Sequence, residues 1–351
     1  MMYRDDLERA RAEIEGEERS LLPFLTIKEL MDMSGEKTDW VVPGFAANGA
    51  ITELSGKVKS GKTTFAIKMA RSVLHGQEFL GRPAAHGQVL LLSEEGHNSL
   101  GAAFRRAGLV DEPGLRLLLR HQARMRHLSW PEIAEGVALL CDNEEVTLVI
   151  IDTLAAFTRV DDENDAAKAA AVMEPLRYIT ATGASVVYTR HDRKSGGQIG
   201  DSGRGSSAYS GYADILVQFG LANQIGHPTR RLLNIVGRFD DSEELVIELL
   251  EGEYVVQGDS VAVERNAARG AILSLLQPPG VELLLIPSLV EKSRQSDSTV
   301  RRTVEDLEGE GYVGHEGGHG ERGTAHGYWL TEAGVEYRDS LTLPLREDPE
   351  K

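Results

Sequence analysis

Cysteine is almost absent from this chain of 351 residues: Cys141 stands alone. No internal disulfide can form, which excludes the small stapled folds of secreted domains. Cys141 lies in an apolar stretch and is expected as core packing in a cytoplasmic protein. Long apolar runs are missing too, so no membrane-spanning helix is expected. The first twenty residues carry charges throughout and do not read as a secretory signal. Positive charge is also short: 38 Lys and Arg face 55 Asp and Glu, a net charge of −17. That balance excludes a generally basic protein that coats nucleic acid, and confines any DNA contact to local basic patches. The length favours two domains.

What the chain does have is Gly56-Lys57-Val58-Lys59-Ser60-Gly61-Lys62-Thr63, the G-x-x-x-x-G-K-[ST] pattern of a phosphate-binding loop. A short strand, 50–55, precedes it. A helix over Thr64 to Leu74, apolar at helical spacing, follows. The two glycines let backbone N–H groups turn inward toward phosphate oxygens, and the helix N-terminus adds partial positive charge. Lys62 is expected on the β- and γ-phosphates of ATP and Thr63 on Mg²⁺, with Gly56 through Thr64 forming the nucleotide cradle. Lys57, just after the first glycine, also marks the deviant loops of partition ATPases. Those loops need glycines where Val58 and Lys59 stand.

Downstream, apolar strands alternate with helices: strands at 88–93, 115–119, 146–151 and 184–189, helices at 99–107, 130–141 and 166–180. This predicts an α/β fold with a mostly parallel sheet covered on both faces. Four more strands follow at 213–219, 230–236, 245–249 and 254–257. The last three are expected as antiparallel additions at one edge. Residues 258–266 read as a linker. Helices at 267–276, 284–292 and 298–310, then paired segments at 311–313 and 328–330, predict a winged helix-turn-helix. A polar tail closes the chain.

Several strand ends carry chemistry. Asp152 ends an apolar strand and is the expected Mg²⁺ partner of Thr63. Glu94 and Glu95 follow the 88–93 strand. Glu94, directly at its end, is the preferred carboxylate for orienting or deprotonating water. His191 is a candidate sensor of the γ-phosphate. Arg193, Lys194 and Arg204 lie in a Gly/Ser-rich stretch, Asp192 to Ser210, as candidates for an arginine finger or for single-stranded DNA phosphates. In the last module Thr299, Arg301 and Arg302 occupy the helix that would enter a duplex major groove. Yet eight Lys and Arg against eleven Asp and Glu leave residues 265–338 at −3. A role in protein contacts therefore stays open beside DNA binding. His315, His319 and His326 are spaced as a polar wing rather than as a metal site.

The ordered landmarks are Trp40-Val41-Val42-Pro43-Gly44, the phosphate loop, Ser93-Glu94-Glu95, Ile150-Ile151-Asp152-Thr153, Thr189-Arg190-His191, Arg204-Gly205-Ser206-Ser207-Ala208 and Ala213-Asp214. Together they resemble the RecA-like ATPases of the plasmid replicative helicase RepA type, akin to the DnaB and RadA cores. The resemblance covers 38–257. It implies a RecA-like core, ATP and Mg²⁺, a ring-shaped hexamer and single-stranded DNA. It puts the water-activating carboxylate on Glu94, the metal carboxylate on Asp152, a γ-phosphate sensor on His191 and a contact to the neighbouring subunit on Arg204. The organisation expected is a charged lead-in (1–37), the ATPase domain (38–257), a linker (258–266), a winged helix (267–338) and a tail (339–351). The appended winged helix and the acidic balance depart from the minimal helicase. They leave a competing reading open, an ATP-controlled DNA-binding or scaffold protein whose winged helix reads a site or recruits a partner.

Overall fold

A computed structural model describes residues 24–33, 35, 37–158, 165–192, 208–221, 229–240, 242–316 and 326–342. The chain divides into two compact units, Met1–Trp40 and Val41–Lys351. The first contains helix α1 (Ile27–Met33). Thr26 and Glu29 cap it reciprocally: the Thr26 N–H donates to the Glu29 carboxylate (2.7 Å) and the Glu29 N–H to the Thr26 hydroxyl (3.2 Å). Phe24, Leu25, Ile27 and Leu30 are exposed. Two turns of helix have too short an apolar stripe to build a core of their own.

The second unit opens with a small sheet, β1 (Trp40–Val42) and β2 (Ala46–Ala47). Nine further strands form one sheet: β3 (Ile51–Gly56), β4 (Gln88–Ser93), β5 (Leu115–Leu119), β6 (Val146–Asp152), β7 (Ser185–His191), β8 (Ile215–Leu221), β9 (Arg230–Gly237), β10 (Glu243–Leu250) and β11 (Glu253–Gly258). Their order is β11-β10-β9-β8-β3-β7-β6-β4-β5. From β8 to β5 neighbours run parallel; β8 to β11 are joined antiparallel. The sequence pattern explains both halves. Continuous apolar strands such as β6 are buried on both faces and need helical crossovers, whereas the short turns after β9 and β10 permit only antiparallel return.

The covering helices are α2 (Lys62–His75), α3 (His97–Ala107), α4 (Arg120–Met125), α5 (Trp130–Glu144), α6 (Leu154–Phe157), α7 (Ala166–Thr180) and α8 (Ala208–Tyr212). α5 and α7 pack over one sheet face through Ile133, Val137, Val172 and Leu176, and the Trp130 indole N–H donates to the Val172 carbonyl (2.8 Å). α2 is seated on the other side by Phe65, whose ring meets Phe45, Phe79, Phe219 and Tyr254 edge-on at 5.0–5.8 Å.

The C-terminal part holds α9 (Ser260–Leu275), α10 (Ile286–Ser293), α11 (Asp297–Gly309), the hairpin β12 (Val313–Glu316) and β13 (Gly327–Leu330), and α12 (Glu332–Thr342). Ile272, Leu273, Leu289, Val300, Leu307 and Leu330 share its core. Two boundaries differ from the sequence reading. The expected linker over 258–266 is mostly helix: Asp259 caps α9 by accepting from the Ala262 N–H (2.6 Å), and Val263 packs with Val246 of β10. The tail expected from residue 339 is helical to Thr342, because Val335 and Tyr337 pack on the module's core. Among the described residues no helix is long and apolar enough to cross a membrane.

Candidate functional site

Strand register gathers the site at one edge of the sheet. Gly56 of β3 stands beside His191 of β7, and Ser93 of β4 beside Asp152 of β6. The loop from Gly56 to Gly61 leaves β3 and enters α2 at Lys62. Gly56 is required by a close approach: a Cβ there would stand 2.5 Å from the Phe219 carbonyl oxygen. Gly61 caps the helix at φ 111°, a conformation closed to other residues. Lys62 is buried along the loop. Its Nζ donates to the carbonyls of Gly56 (2.8 Å) and Lys57 (2.9 Å) and lies 3.3 Å from His191 Nδ1. Burial holds its pKa below the ordinary lysine value, against the pull of the Asp152 and Asp192 carboxylates.

Asp152 is the hub. Its Oδ2 accepts from the Thr63 hydroxyl (2.6 Å) and its Oδ1 from the Thr189 hydroxyl (2.5 Å). The Asp152–Thr153 peptide is cis. Thr153 donates its hydroxyl to Glu94 Oε1 (3.0 Å), and the Glu94 N–H donates to the Asp152 carbonyl (2.9 Å). Glu95 accepts from Ser99 of α3 (2.6 Å). Val58 through Thr64 line the cleft together with Glu94, Glu95, Asp152, Thr153 and His191. Arg204, with Arg193 and Lys194, falls outside the described residues.

The donor set fits a nucleotide with Mg²⁺. An oxygen-only pair, the Thr63 hydroxyl and the Asp152 carboxylate, suits a hard divalent cation. The Ser60 hydroxyl is buried in the loop without a hydrogen-bond partner.

Behind the cleft lies a network that sequence reasoning missed. Glu53 sits in the middle of β3 and is 2% exposed. It accepts from Tyr188 (2.6 Å), Arg190 (2.9 Å) and the Ser210 hydroxyl (3.1 Å). Burial, and then the negative charge of Glu53, push the Tyr188 phenol well above its ordinary pKa. The signal was present: a glutamate inside an otherwise buried strand needs partners. Asp214, one of the sequence landmarks, accepts from the Ile51 N–H (2.9 Å), Arg177 (3.3 Å) and Arg238 (3.0 Å), tying β3 to α7 and β9.

In the C-terminal module Arg301 pairs with Asp297 (2.7 Å), and His315 with Glu308. His319 lies outside the described residues. Among those described, no three histidines, cysteines or acids gather as a metal site.

A mostly parallel sheet, a glycine loop opening a helix at its edge, and a metal-type hydroxyl–carboxylate pair on the adjoining strand ends define a RecA-like P-loop core. The family model described as AAA domain matches residues 16–197, just over half of the chain, and the chain belongs to that family. AAA domains are ATPase modules that bind ATP with Mg²⁺. No curated protein matches the chain.

Proposed function

We propose that this protein is a DNA-dependent ATPase or helicase of the RepA type, working as a hexameric ring on the DNA of a plasmid, phage or other mobile element. The observation that carries the ATPase reading is the convergence on Asp152. One carboxylate links the loop residue Thr63, the strand residue Thr189 and, through the next residue, Glu94. Loop N–H groups and Lys62 bind the β- and γ-phosphates. Thr63 and Asp152 hold Mg²⁺, which neutralises charge on the phosphates. Glu94 orients a water whose oxygen attacks the γ-phosphorus, and its carboxylate takes the proton as the bond to the β-phosphate oxygen breaks. His191, beside Lys62, senses the γ-phosphate. Arg204 of a neighbouring subunit supplies the cation for the transition state, and head-to-tail contacts of that kind close rings. Arg193, Lys194 and Arg204 contact single-stranded DNA.

The test is turnover with and without single-stranded DNA, together with subunit mixing. Turnover rises with DNA. Arg204→Ala and Lys62→Ala proteins are each inactive, and activity returns when they are mixed. Full activity of a dilute monomer, or no return of activity in rings that exchange subunits, overturns the shared site.

A second reading follows from the C-terminal module, read here as a winged helix. Three of its basic side chains, Arg269, Lys292 and Arg301, are paired with the module's own acids, Arg294 and Arg302 have no ion pair among the described residues, and residues 265–338 carry a net −3. This favours a protein-recruiting scaffold controlled by ATP over duplex readout. Slow turnover indifferent to DNA, with a protein partner bound through the module, would select it.

A further inference from the structure

In a chain of net charge −17, residues 113–131 hold four arginines, two histidines and no carboxylate. The fold places this stretch at a free margin of the sheet: β5 is the terminal strand and α4 follows it directly. Six arginines elsewhere in the unit, Arg71, Arg82, Arg177, Arg190, Arg230 and Arg238, each pair with a carboxylate, whereas Arg105, Arg106, Arg265, Arg294 and Arg302 have no carboxylate partner among the described residues. At this margin Arg116 pairs with Glu144, but no carboxylate among the described residues pairs with Arg120, Arg124 or Arg126. Arg124 and Arg126 are exposed. Arg120 Nε is buried without a hydrogen-bond partner, and its side chain lines a cleft of about 260 Å³ shared with Glu94, Thr153 and His191.

The surface beside these cations is mostly apolar. Met125 is 78% exposed, and with Leu118 and Leu128 it lines a groove bordered by Arg126. The exposed imidazoles of His97 and His121 meet at 4.8 Å. Guanidinium groups match phosphate in geometry and charge. Apolar and flat side chains beside them match unstacked bases. A duplex hides its bases from the groove and the imidazole faces, and an acidic peptide offers carboxylates in place of the evenly spaced phosphates that the guanidinium groups match.

The geometry points to a binding site for single-stranded nucleic acid on the β5–α4 margin, with Arg124 and Arg126 on successive phosphates, bases on the Met125 groove and Arg120 leading the strand toward Glu94. This deepens the DNA reading above by giving that partner a second contact site, distinct from the Arg193–Arg204 stretch. Binding is measured without nucleotide, so its failure is separable from failure of the ATPase reading.

The experiment titrates a fluorescently labelled oligothymidylate with the full chain over a salt series. Arg124→Gln/Arg126→Gln removes two phosphate contacts and lowers the slope of log affinity against log salt by about 1.4. Arg105→Gln/Arg106→Gln removes the same charge from the far end of α3 and leaves the slope unchanged. An unchanged slope in the first variant overturns the site. So does an equal fall in both, which would reflect net charge alone. Met125→Ala weakens oligothymidylate binding without changing the slope, and no weakening overturns the base contact. Competition by a duplex of equal length, or by polyglutamate, as effective as unlabelled oligothymidylate also overturns it. If substitution of Arg193, Lys194 and Arg204 alone abolishes binding while the margin double variant changes nothing, the margin site falls and the loop reading stands.

Discussion

The strands around the phosphate loop and the C-terminal module hold themselves together by opposite means. Around the loop, charged and hydroxyl groups are buried together. Glu53, Lys62, Asp152, Thr189 and Arg190 are all buried, and each finds a partner within the network. In the module the core is built from Ile272, Leu273, Leu289, Val300 and Leu307, with ion pairs mostly at its surface. Arg269 is the exception, buried, paired with Glu310 and lying over the Tyr337 ring. Apolar burial fixes a shape without committing to chemistry. Buried polar networks cost desolvation and return precise placement of reactive groups. The difference separates a part that buries reactive groups together from a part held by apolar packing.

The sharpest break in that comparison is at the cleft. Glu94→Gln keeps size and the Thr153 hydrogen bond but removes the base. Turnover falls by about 10²–10⁴-fold while nucleotide binding persists. Lys62→Ala abolishes turnover by removing the phosphate contact. Normal hydrolysis by the Lys62→Ala protein would show that the loop is not the active site.

The next effect falls on stability rather than rate. Glu53→Ala strips the acceptor from Arg190, Tyr188 and Ser210 and leaves a guanidinium buried without its carboxylate. Breaking such a pair costs about 3–5 kcal/mol in chemical denaturation. Glu53→Gln keeps the acceptor oxygen and costs less. Equal, small losses in both variants would mean that the network is not holding β3 to β7.

The module responds to a plain cavity. Leu307→Ala on α11 empties space among aliphatic neighbours and costs about 2–5 kcal/mol. Because no group of the cleft is touched, turnover per folded molecule stays at the parent level. Loss of turnover in step with loss of the module's fold would show that the two regions act as one.

Much of this arrangement was legible in the residues. The apolar runs at 88–93 and 146–151 could be nothing but strands buried on both faces, and Gly56 through Thr63 fixed the junction between β3 and α2. The placement of Asp152 and Glu94 at the cleft was readable because each follows or ends an apolar strand on the side where the phosphate loop leaves β3. Glu94 and Glu95 both line the cleft, and the structure bonds Glu94 to Thr153 and Glu95 to Ser99, contacts that adjacency in sequence does not reveal. Glu53 was passed over because its partners Arg190 and Ser210 are more than 130 residues away. The β5–α4 arginines were passed over because only the fold brings them to the sheet margin beside the Met125 groove. The start of α9 was misplaced for a local reason. Gly258, at φ 109°, reads as a break, but Asp259 immediately turns that break into a helix cap.

That cap yields the smallest prediction and the one that bears most on how the two regions are joined. α9 begins against the sheet, where Val263 packs with Val246, and ends in the module, where Ile272 and Leu273 enter its core. The helix is continuous over Ser260–Leu275, and its first turn depends on Asp259, whose carboxylate accepts the Ala262 N–H at 2.6 Å. Asp259→Ala leaves that donor to water and costs about 1 kcal/mol. The loss is local: amide exchange speeds up over residues 260–266 and is unchanged over 270–275, where the helix is held by the apolar core. Asp259→Asn keeps a capping oxygen and restores most of the protection. If residues 260–266 exchange at the rate of an unstructured chain in the parent protein, and Asp259→Ala changes nothing, the segment is the flexible linker that the sequence suggested, and the module hangs from the sheet without a rigid joint.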